Sequence, residues 1–475
     1  MRLRGGYNIA VTGRPSREVE VLPEPDVLYL PLRSRRFAFT ELCVKDGQRV
    51  RPGDVIAADP KNFGVPLLAP RAGTIRLHAS DGHVVIEGAA ASAEQQYDPE
   101  ADIPHVPKDP GEADRKRRQL LALGAWEFFS DAHTGTLPDP FGTPRAVIVS
   151  TLQLEPFQTR GDVQIGKRLV DFTRGLEHIQ SLLERRDAPV GRLRRATGTS
   201  LHQPIHLVFP RVNSRLGAEL RERLRGHAWV NIVHVPLRYP FDNFRLLARY
   251  LGLKPNPKEP VWAVQTGGVL AVDRALTRHL PCTVRLVSLG GPGVMDPKHL
   301  KAMPGYPISR ILDGRLKDGT VRVLNGGGLT AAALPPGQLG LDVECSGLTV
   351  LPEHTEREFL GFMRPGFDRV SYSKAFMSCV LPIALRHTTA LRGELRPCVS
   401  CGYCEEVCPA GIMPHLIHKY LYRDGLEEAE AARVDLCVGC GLCSFVCPSK
   451  IELCGQMLDA QQRISRELHA QEEQP

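Results

Sequence analysis

Eight of the thirteen cysteines in this chain fall into two short blocks with one shared spacing. The first block, at 398–409, has the sequence CVSCGYCEEVCP, and the second, at 437–448, has CVGCGLCSFVCP. Both follow the pattern C-x2-C-x2-C-x3-C-P. Three thiolates at steps of three can surround one face of an iron–sulfur cubane, and the fourth then points toward a second cluster. The pattern predicts two neighbouring [4Fe–4S] clusters and therefore electron transfer.

The same spacing predicts which cysteines hold which cluster. Each cluster takes the first three cysteines of one block and the last cysteine of the other. The predicted ligand sets are Cys398, Cys401, Cys404 and Cys447 for one cluster, and Cys437, Cys440, Cys443 and Cys408 for the other. Three glycines in the blocks would let the backbone approach the clusters and turn its N–H groups toward them: Gly402, Gly439 and Gly441.

Structural zinc is the alternative for closely spaced cysteines. A zinc site takes paired CxxC units and four ligands, which gives no reason for a third cysteine at the same step or for a CP ending. The cubane interpretation is therefore favoured. The other five cysteines are scattered among apolar residues, a placement typical of inert buried thiols: Cys43, Cys282, Cys345, Cys379 and Cys454.

The rest of the chain predicts a multidomain protein of α/β and β class. The predicted parts are an N-terminal segment with a barrel-sandwich-like domain at 1–97, a linker at 98–118, an α/β domain at 119–312, a small β-grasp-like domain at 313–375, a helical ferredoxin-like domain at 376–462 and a polar tail at 463–475.

Periodicity supports these divisions. Short alternating strands at 36–95 resemble biotinyl and lipoyl carriers, although Lys61 follows Pro60 and does not match the modified lysine, so we expect no prosthetic group. From 119 to 312, helical segments alternate with apolar strands, which predicts a largely parallel sheet. The segment QLLALGAWEFF is predicted to be helical, and the predicted strands are 145–151, 204–210, 229–236, 261–266 and 284–291.

Charge and hydropathy restrict the possible partners and the expected location of the protein. The formal net charge is +7, and the excess is concentrated at 115–118 and 185–195. Such clusters can meet nucleic acid, anionic lipid or an acidic partner, or can simply face solvent beside a loop. No nucleic-acid motif accompanies them, so we expect no nucleic-acid partner. The sequence contains no long apolar run and no secretory signal, which predicts a cytoplasmic protein, at most peripheral to the membrane.

Several segments outside the cysteine blocks resemble the A subunit of the Na+-translocating NADH:quinone reductase. They occur in the same order over most of the chain, and they are GYNIAVTGRP (6–15), DPKNFGVPLLAPRAGT (59–74), SLGGPGV (288–294), LTVLPEHTEREFLGF (348–362) and CSFVCPSK (443–450). Typical members of that family keep little more than the end of the second block. Two intact blocks are instead typical of the C subunit of the related Rnf complex, which RYPFDNFRLLARYLG (238–252) and VWAVQTGGVLAVDRAL (261–276) also resemble.

The resemblance implies a subunit that docks on membrane partners at the inner face of the cell membrane. In the A-subunit family the resemblance implies quinone handling, and in the Rnf family it implies NADH oxidation through FMN. The glycine-rich GGxGFPT loop of such NADH sites is not present, and VQIGKRLVDFTRGLE stands in its approximate place. The sequence thus argues against FMN and NADH binding. The glycine runs at 290–293 and 325–328 are better explained as tight turns.

Three functional hypotheses follow. The first is a cluster-bearing, A-like subunit of an ion-translocating NADH:quinone reductase-type complex. The second is an Rnf-type C subunit that passes electrons between NADH and ferredoxin. The third is a non-catalytic adaptor in which the clusters only rigidify a docking domain. No catalytic residue can be named from the sequence. His415 and His418 are expected to cover the clusters rather than to bind iron, because eight cysteines already satisfy two cubanes.

Overall fold

The computed structural model describes residues 3–77, 81–90, 112–183, 205–211, 215–354, 389 and 395–472. Four β-sheets and a C-terminal group of helices make up this part of the chain. The protein is therefore a multidomain protein of mixed α/β class, as the sequence indicated.

Two small antiparallel sheets form near the N-terminus, with strand orders β2-β8-β7-β4 and β3-β5-β6. The strands up to this point are β1 (Val19–Val21), β2 (Val27–Pro31), β3 (Glu41–Leu42), β4 (Arg49–Val50), β5 (Val55–Asp59), β6 (Val65–Leu68), β7 (Ala72–Arg76) and β8 (His83–Ala90). In β2, Leu28 and Leu30 are fully buried while Val27 and Tyr29 are partly exposed, which is the period of two of a half-buried strand. The comparison with carrier domains stays a prediction.

The middle of the chain forms a five-stranded sheet in the order β12-β11-β10-β13-β9. Its elements are α1 (Glu112–Ala122), β9 (Phe129–Asp131), β10 (Ala146–Ser150), α2 (Gly161–Ile165), α3 (Leu169–Ser181), β11 (Ile205–Pro210), α4 (Arg215–Arg223), β12 (Val230–Val235), α5 (Phe244–Tyr250), β13 (Val261–Gln265) and α6 (Thr266–Arg278). The four strands β10 to β13 pair in parallel, and β9 is an antiparallel edge. Every residue of β10 is buried, as expected for a parallel strand that is covered on both faces.

A six-stranded sheet follows, in the order β1-β15-β14-β18-β16-β17. Its later elements are β14 (Arg285–Gly290), β15 (Lys298–Ala302), α7 (Ile308–Leu312), β16 (Val321–Asn325), β17 (Ala332–Ala333) and β18 (Gly347–Pro352). Strand β1 pairs in parallel with β15, so the N-terminal segment is tied into this sheet. The Gly291 N–H donates to the Gly13 carbonyl at 2.8 Å, and a Cβ on either glycine would clash with backbone.

The C-terminal part is helical around the cysteine blocks. Its helices are α8 (Tyr403–Glu406), α9 (Pro414–Leu421), α10 (Leu426–Ala431), α11 (Leu442–Val446) and α12 (Leu453–Glu472). Pro414 occupies the first turn of α9, where its missing N–H costs no hydrogen bond. Helix α9 packs on α12, and His418 Nδ1 lies 2.7 Å from Gln456 Oε1 across that contact.

Three boundaries differ from the sequence-based predictions. The strand predicted at 284–291 is β14 of the six-stranded sheet and not part of the α/β sheet, because strand alternation does not reveal which sheet a strand joins. Residues 112–118 belong to α1 and not to a linker, since Glu112–Ala122 contains no proline or glycine; this helix ends before Trp126. The predicted polar tail is helical as far as Glu472.

The basic cluster at 115–118 is partly inside the protein. Arg117 is buried, donates to the carbonyls of Leu182 and Gly142, and lies over the ring of Trp262. It is therefore a structural residue, unlike the solvated or partner-binding face that the sequence suggested. The second basic cluster, at 185–195, lies outside the described residues, as does Cys379. Among the described helices, none is long and apolar enough to cross a membrane.

Candidate iron–sulfur centres

The electrostatic interactions among the eight cysteines fall into two groups of four. In the first group, Cys447 interacts electrostatically with Cys398 and Cys401, and Cys404 interacts with Cys401 and Cys447. In the second group, Cys437 and Cys440 interact with Cys408. Cys443 completes the second group through its interaction with both Cys437 and Cys440. These are the two sets that the crossed ligand pattern predicts; the assignment of each sulfur to iron stays a prediction.

The second group lines a small apolar pocket between the two blocks. Cys408, Cys437, Cys440 and Cys443 all border it, together with apolar residues of the adjoining helices. A fifth cysteine, Cys454, lies in the same pocket. The sequence placed Cys454 among the inert thiols, because it stands among apolar residues outside the two blocks. Its place at the start of α12 is what brings it back to the cluster site.

Burial makes deprotonation of these thiols unfavourable in the metal-free protein. It raises the pKa of Cys404 to about 11 and that of Cys437 to about 12, and it raises the pKa of Cys440 well above its usual value. A thiolate at such a site needs a nearby positive charge, which bound iron supplies. Four cysteine sulfurs in one group, most of them buried in the second group, are the donor set that a [4Fe–4S] cluster uses.

The backbone around the sulfurs has the conformation that the glycines predicted. Gly402, Gly439 and Gly441 all have positive φ, at 76°, 64° and 76°. The Gly439 N–H points at the Cys437 sulfur, 3.4 Å away. Gly402 and Gly441 each precede a short helix, α8 and α11, that carries the third cysteine of its block. The two blocks therefore repeat one local structure.

Two arginines of α5 face the second group. Arg245 donates to the carbonyls of Cys437 and Asp435 at 2.9 and 2.7 Å. Arg249, one turn later, lies near Cys408, and its buried Nη1 has no hydrogen-bond partner among the described residues. Arg245 and Arg249 place positive charge beside cysteines of the second group, which fits a site that holds an anionic cluster. No three His, Cys, Asp or Glu side chains in the described ranges are arranged for a single metal ion, so the fit rests on donor chemistry and burial.

The N-terminal segment packs directly on the cysteine blocks. The Gly6 N–H donates to the Val407 carbonyl at 2.8 Å, and the Tyr7 ring lies against Phe445. Gly5 has a φ of 64°, and a Cβ there would come within 2.6 Å of the Cys408 carbonyl oxygen. Only glycine fits this approach. The motif GYNIAVTGRP carries the family resemblance, but its sequence does not indicate that it packs beside the cysteine blocks.

A second contact reaches the blocks from the loop before α5. The buried Tyr239 hydroxyl donates to the Cys440 carbonyl at 2.7 Å. Nothing in the sequence pattern of RYPFDNF indicated this role. His415 Nδ1 lies 3.8 Å from the Cys404 sulfur of the first group, and its expected role of covering a cluster stays a prediction.

A cleft of about 1760 Å³ opens between the sheets and reaches the loop 437–440. Two carboxyl groups stand on its wall near Tyr239. Burial and the nearby Glu155 raise the pKa of Asp242 to about 7, and burial also raises the pKa of Glu155. Glu155 accepts hydrogen bonds from the backbone of Leu329 and Thr330, just beyond the glycine turn at 325–328. The second group is thus connected to the cleft.

Sequence comparisons agree with this arrangement. The family model for the 4Fe-4S dicluster domain matches residues 394–451, a range that contains all eight block cysteines, and the model for the NQRA C-terminal domain matches residues 286–332. The A subunit of the Na(+)-translocating NADH-quinone reductase from Alcanivorax borkumensis is 28% identical over 435 residues, which cover 91% of both chains. The corresponding A subunit from Neisseria meningitidis serogroup A is 26% identical over 442 residues, again with 91% of both chains.

This chain is thus similar to these A subunits over most of its length. The alignment with the Alcanivorax borkumensis subunit covers 91% of this chain, so it includes Tyr239 and α5. A solved structure of an NAD+-reducing [NiFe]-hydrogenase in the H2-reduced state is also similar, with a TM-score of 0.40 and 15% identity over 76% of this chain and 67% of the other.

Proposed function

We propose that this chain is the A-like, iron–sulfur electron-transfer subunit of a membrane-associated, ion-translocating NADH:quinone reductase-type complex. One observation carries the proposal. Eight cysteines form two groups of four inside the stretch that matches a dicluster domain, and that stretch is joined to a body that aligns with the A subunits. Within this proposal, Cys398, Cys401, Cys404 and Cys447 hold one [4Fe–4S] cluster, and Cys437, Cys440, Cys443 and Cys408 hold the other.

When bound, such clusters accept and release single electrons. The remaining residues of the site hold the ligands in position. Gly439 turns a backbone N–H toward a ligand sulfur, and Tyr239 and Arg245 fix the carbonyls of Cys440 and Cys437. These contacts limit the movement of the ligand loop when the charge of a bound cluster changes, which favours rapid electron exchange.

The wider assignments also belong to this proposal. The chain would be peripheral on the inner face of the cell membrane, held there by membrane subunits, and quinone would be a substrate of the complex. FMN and NADH are not proposed as ligands, because the sequence lacks the glycine-rich loop that their sites use. We also propose the barrel-sandwich-like, β-grasp-like and ferredoxin-like domains with the boundaries predicted from the sequence. The exceptions are the three boundaries that differ in the observed fold.

Anaerobic purification of the full chain tests the central claim. We expect about eight irons and about eight acid-labile sulfides per chain, with EPR signals of reduced [4Fe–4S] clusters. Cys282→Ala serves as a control, because Cys282 is buried elsewhere and donates to the Ala271 carbonyl. Zinc in place of iron, or far fewer irons than eight, would refute the proposal.

Redox titration then separates the three hypotheses. If the A-like assignment is right, the clusters change redox state when quinol or quinone is added. NADH alone does not reduce them. Reduction by NADH together with a flavin absorption band would instead support the Rnf-type assignment. Clusters that stay in one redox state at every accessible potential would support the adaptor.

A further inference from the structure

The pocket of the second group contains one more cysteine than a [4Fe–4S] cluster uses. Cys454 lines this pocket with Cys408, Cys437, Cys440 and Cys443. It interacts electrostatically with the last three of these residues. A cubane takes four thiolates, one for each iron, so the fifth sulfur must have another role or none.

The position of Cys454 is fixed from both sides. Its backbone N–H donates to Ser444 Oγ at 2.9 Å, and Ser444 in turn donates to Glu452 Oε1 at 3.3 Å. Ser444 directly follows Cys443 in α11, and Cys454 lies in the first turn of α12. Cys454 is buried, at 8% exposure. The serine thus holds the two helices together beside the ligand sulfur and leaves the Cys454 thiol facing the pocket.

The thiol of Cys454 interacts with the side chain of Cys443, a proposed ligand of the second cluster. Cys443 and Cys454 border the same pocket, and hydrogen bonding to Cys454 is the first cause of the raised pKa of Cys443. A thiol is a weak donor to neutral acceptors, but a hydrogen bond to an ionised acceptor is shorter and stronger. Cys443 is a thiolate whenever it binds iron, and the geometry then makes Cys454 the donor of this bond.

We propose that Cys454 is a positioning residue that donates a hydrogen bond to the Cys443 sulfur and thereby raises the reduction potential of the second cluster. The inference rests on the proposed function, because it needs the clusters to be present. Reduction adds negative charge to the cluster and its sulfurs, and a donor at a ligand sulfur stabilises the more negative state. Only the second cluster is affected, so Cys454, which lies outside the shared spacing, makes the reduction potentials of the two clusters differ.

EPR-monitored redox titration of the full chain, purified anaerobically, tests this inference. We expect Cys454→Ala to keep the wild-type iron content and to lower the midpoint potential of one cluster only. A tenfold shift of the reduction equilibrium would correspond to about 59 mV for one electron. Cys454→Ser keeps a donor and should return the potential to at least most of its wild-type value. Cys345→Ala is the matched control, since this buried thiol donates to the Gly347 carbonyl instead.

Several results would overturn the inference. Loss of about half the iron in Cys454→Ala would make Cys454 a ligand, and equal shifts in the Ala and Ser variants would make it a packing residue. Unchanged potentials with intact clusters would refute this inference alone, whereas a wild-type chain without clusters would refute it together with the proposed function. If Cys454→Ala does not fold, Ser444→Ala releases the Cys454 backbone, and it should lower the same potential.

Discussion

The first and second cysteine groups share one spacing, yet the rest of the chain surrounds them differently. In the first group, Cys401 is exposed and Cys398 and Cys447 are partly exposed, and the nearby Leu395 and Val399 are also open to solvent. In the second group, three of the four cysteines are buried. Residues from distant segments contact this group, namely Gly5, Tyr239, Arg245 and Arg249, and Cys454 borders its pocket from the adjoining helix.

This difference shows what the motif determines and what it leaves open. The spacing determines the turn conformation and the grouping of the sulfurs. Burial, hydrogen bonds to the sulfurs and nearby charges set the reduction potential, and those come from outside the motif. Two clusters on identical motifs are therefore expected to differ in potential and in stability.

The largest expected difference concerns loss of a ligand. Cys440→Ser places a weaker ligand in a buried site that Tyr239 also contacts, whereas Cys401→Ser does so at the surface. We expect each variant to lose about half of the iron, and Cys440→Ser also to lose about 2–4 kcal/mol more of the free energy of unfolding. Iron analysis and urea denaturation of the full chain measure both effects. Equal destabilisation by the two variants would contradict the contrast in burial.

A smaller effect is expected from the N-terminal segment. Gly5→Ala forces a side chain into a backbone with positive φ and against the Cys408 carbonyl, so we expect a cost of about 2–3 kcal/mol in the free energy of unfolding. Gly47→Ala is the matched control: its φ is 74°, but nothing lies within 4 Å of the new Cβ, and the cost should be about 1 kcal/mol.

Spectroscopy gives Gly5→Ala a second readout. Cys408 lies in the first block but belongs to the second group, so the variant should perturb the EPR signal of the second cluster and leave that of the first unchanged. Perturbation of the first cluster alone would mean that the crossed ligand assignment is wrong.

Sequence reasoning predicted the local parts of this structure well. The strands at 145–151, 204–210, 229–236 and 261–266 and the helix that starts at Pro414 are present, because hydrophobic periodicity and proline placement act over a few residues. The two groups of sulfurs also follow from local spacing, although their binding of iron stays a prediction.

The contacts between distant segments could not be predicted. Strand β14 belongs to a different sheet from the one that alternation suggested, and Tyr239 and Gly5 reach the second group from more than 160 residues away along the chain. Cys454 illustrates the same limit at short range. Its spacing from the second block carries no ligand pattern, and only the packing of α12 against α11 shows that it lines the pocket of the second group.

Removal of the tyrosine hydroxyl tests one of those distant contacts. Tyr239→Phe leaves the Cys440 carbonyl without this buried donor, and we expect a loss of about 1–2 kcal/mol in the free energy of unfolding. Tyr422→Phe is the control, because Tyr422 is 85% exposed and its hydroxyl is free to bond water. A loss no larger than that of the control would show that the second group does not depend on this contact.

The smallest expected effect concerns the carboxyl groups on the cleft wall near Tyr239. The Asp242 carboxyl has a raised pKa of about 7 in the folded protein, whereas the pKa of an aspartate in an unfolded chain is about 3.9. Between these values the folded state binds more protons, so the free energy of unfolding falls as pH rises from about 4 to about 7. Asp242→Asn still accepts from the Leu154 N–H and cannot ionise, which removes this part of the decline.

We therefore expect Asp242→Asn to be more stable than wild type by about 1 kcal/mol at pH 8 and to show little gain at pH 4. The value at pH 8 is reduced because this side chain is partly exposed. Urea denaturation at the two pH values measures the difference, with the exposed carboxyl of Asp459→Asn as the control. Glu155 has a raised pKa as well, so the double variant with Glu155→Gln should flatten the profile further. An equal gain in the free energy of unfolding at both pH values would mean that the amide improves packing. Ionisation of the cleft carboxyls would then not be a difference between the surroundings of the two groups.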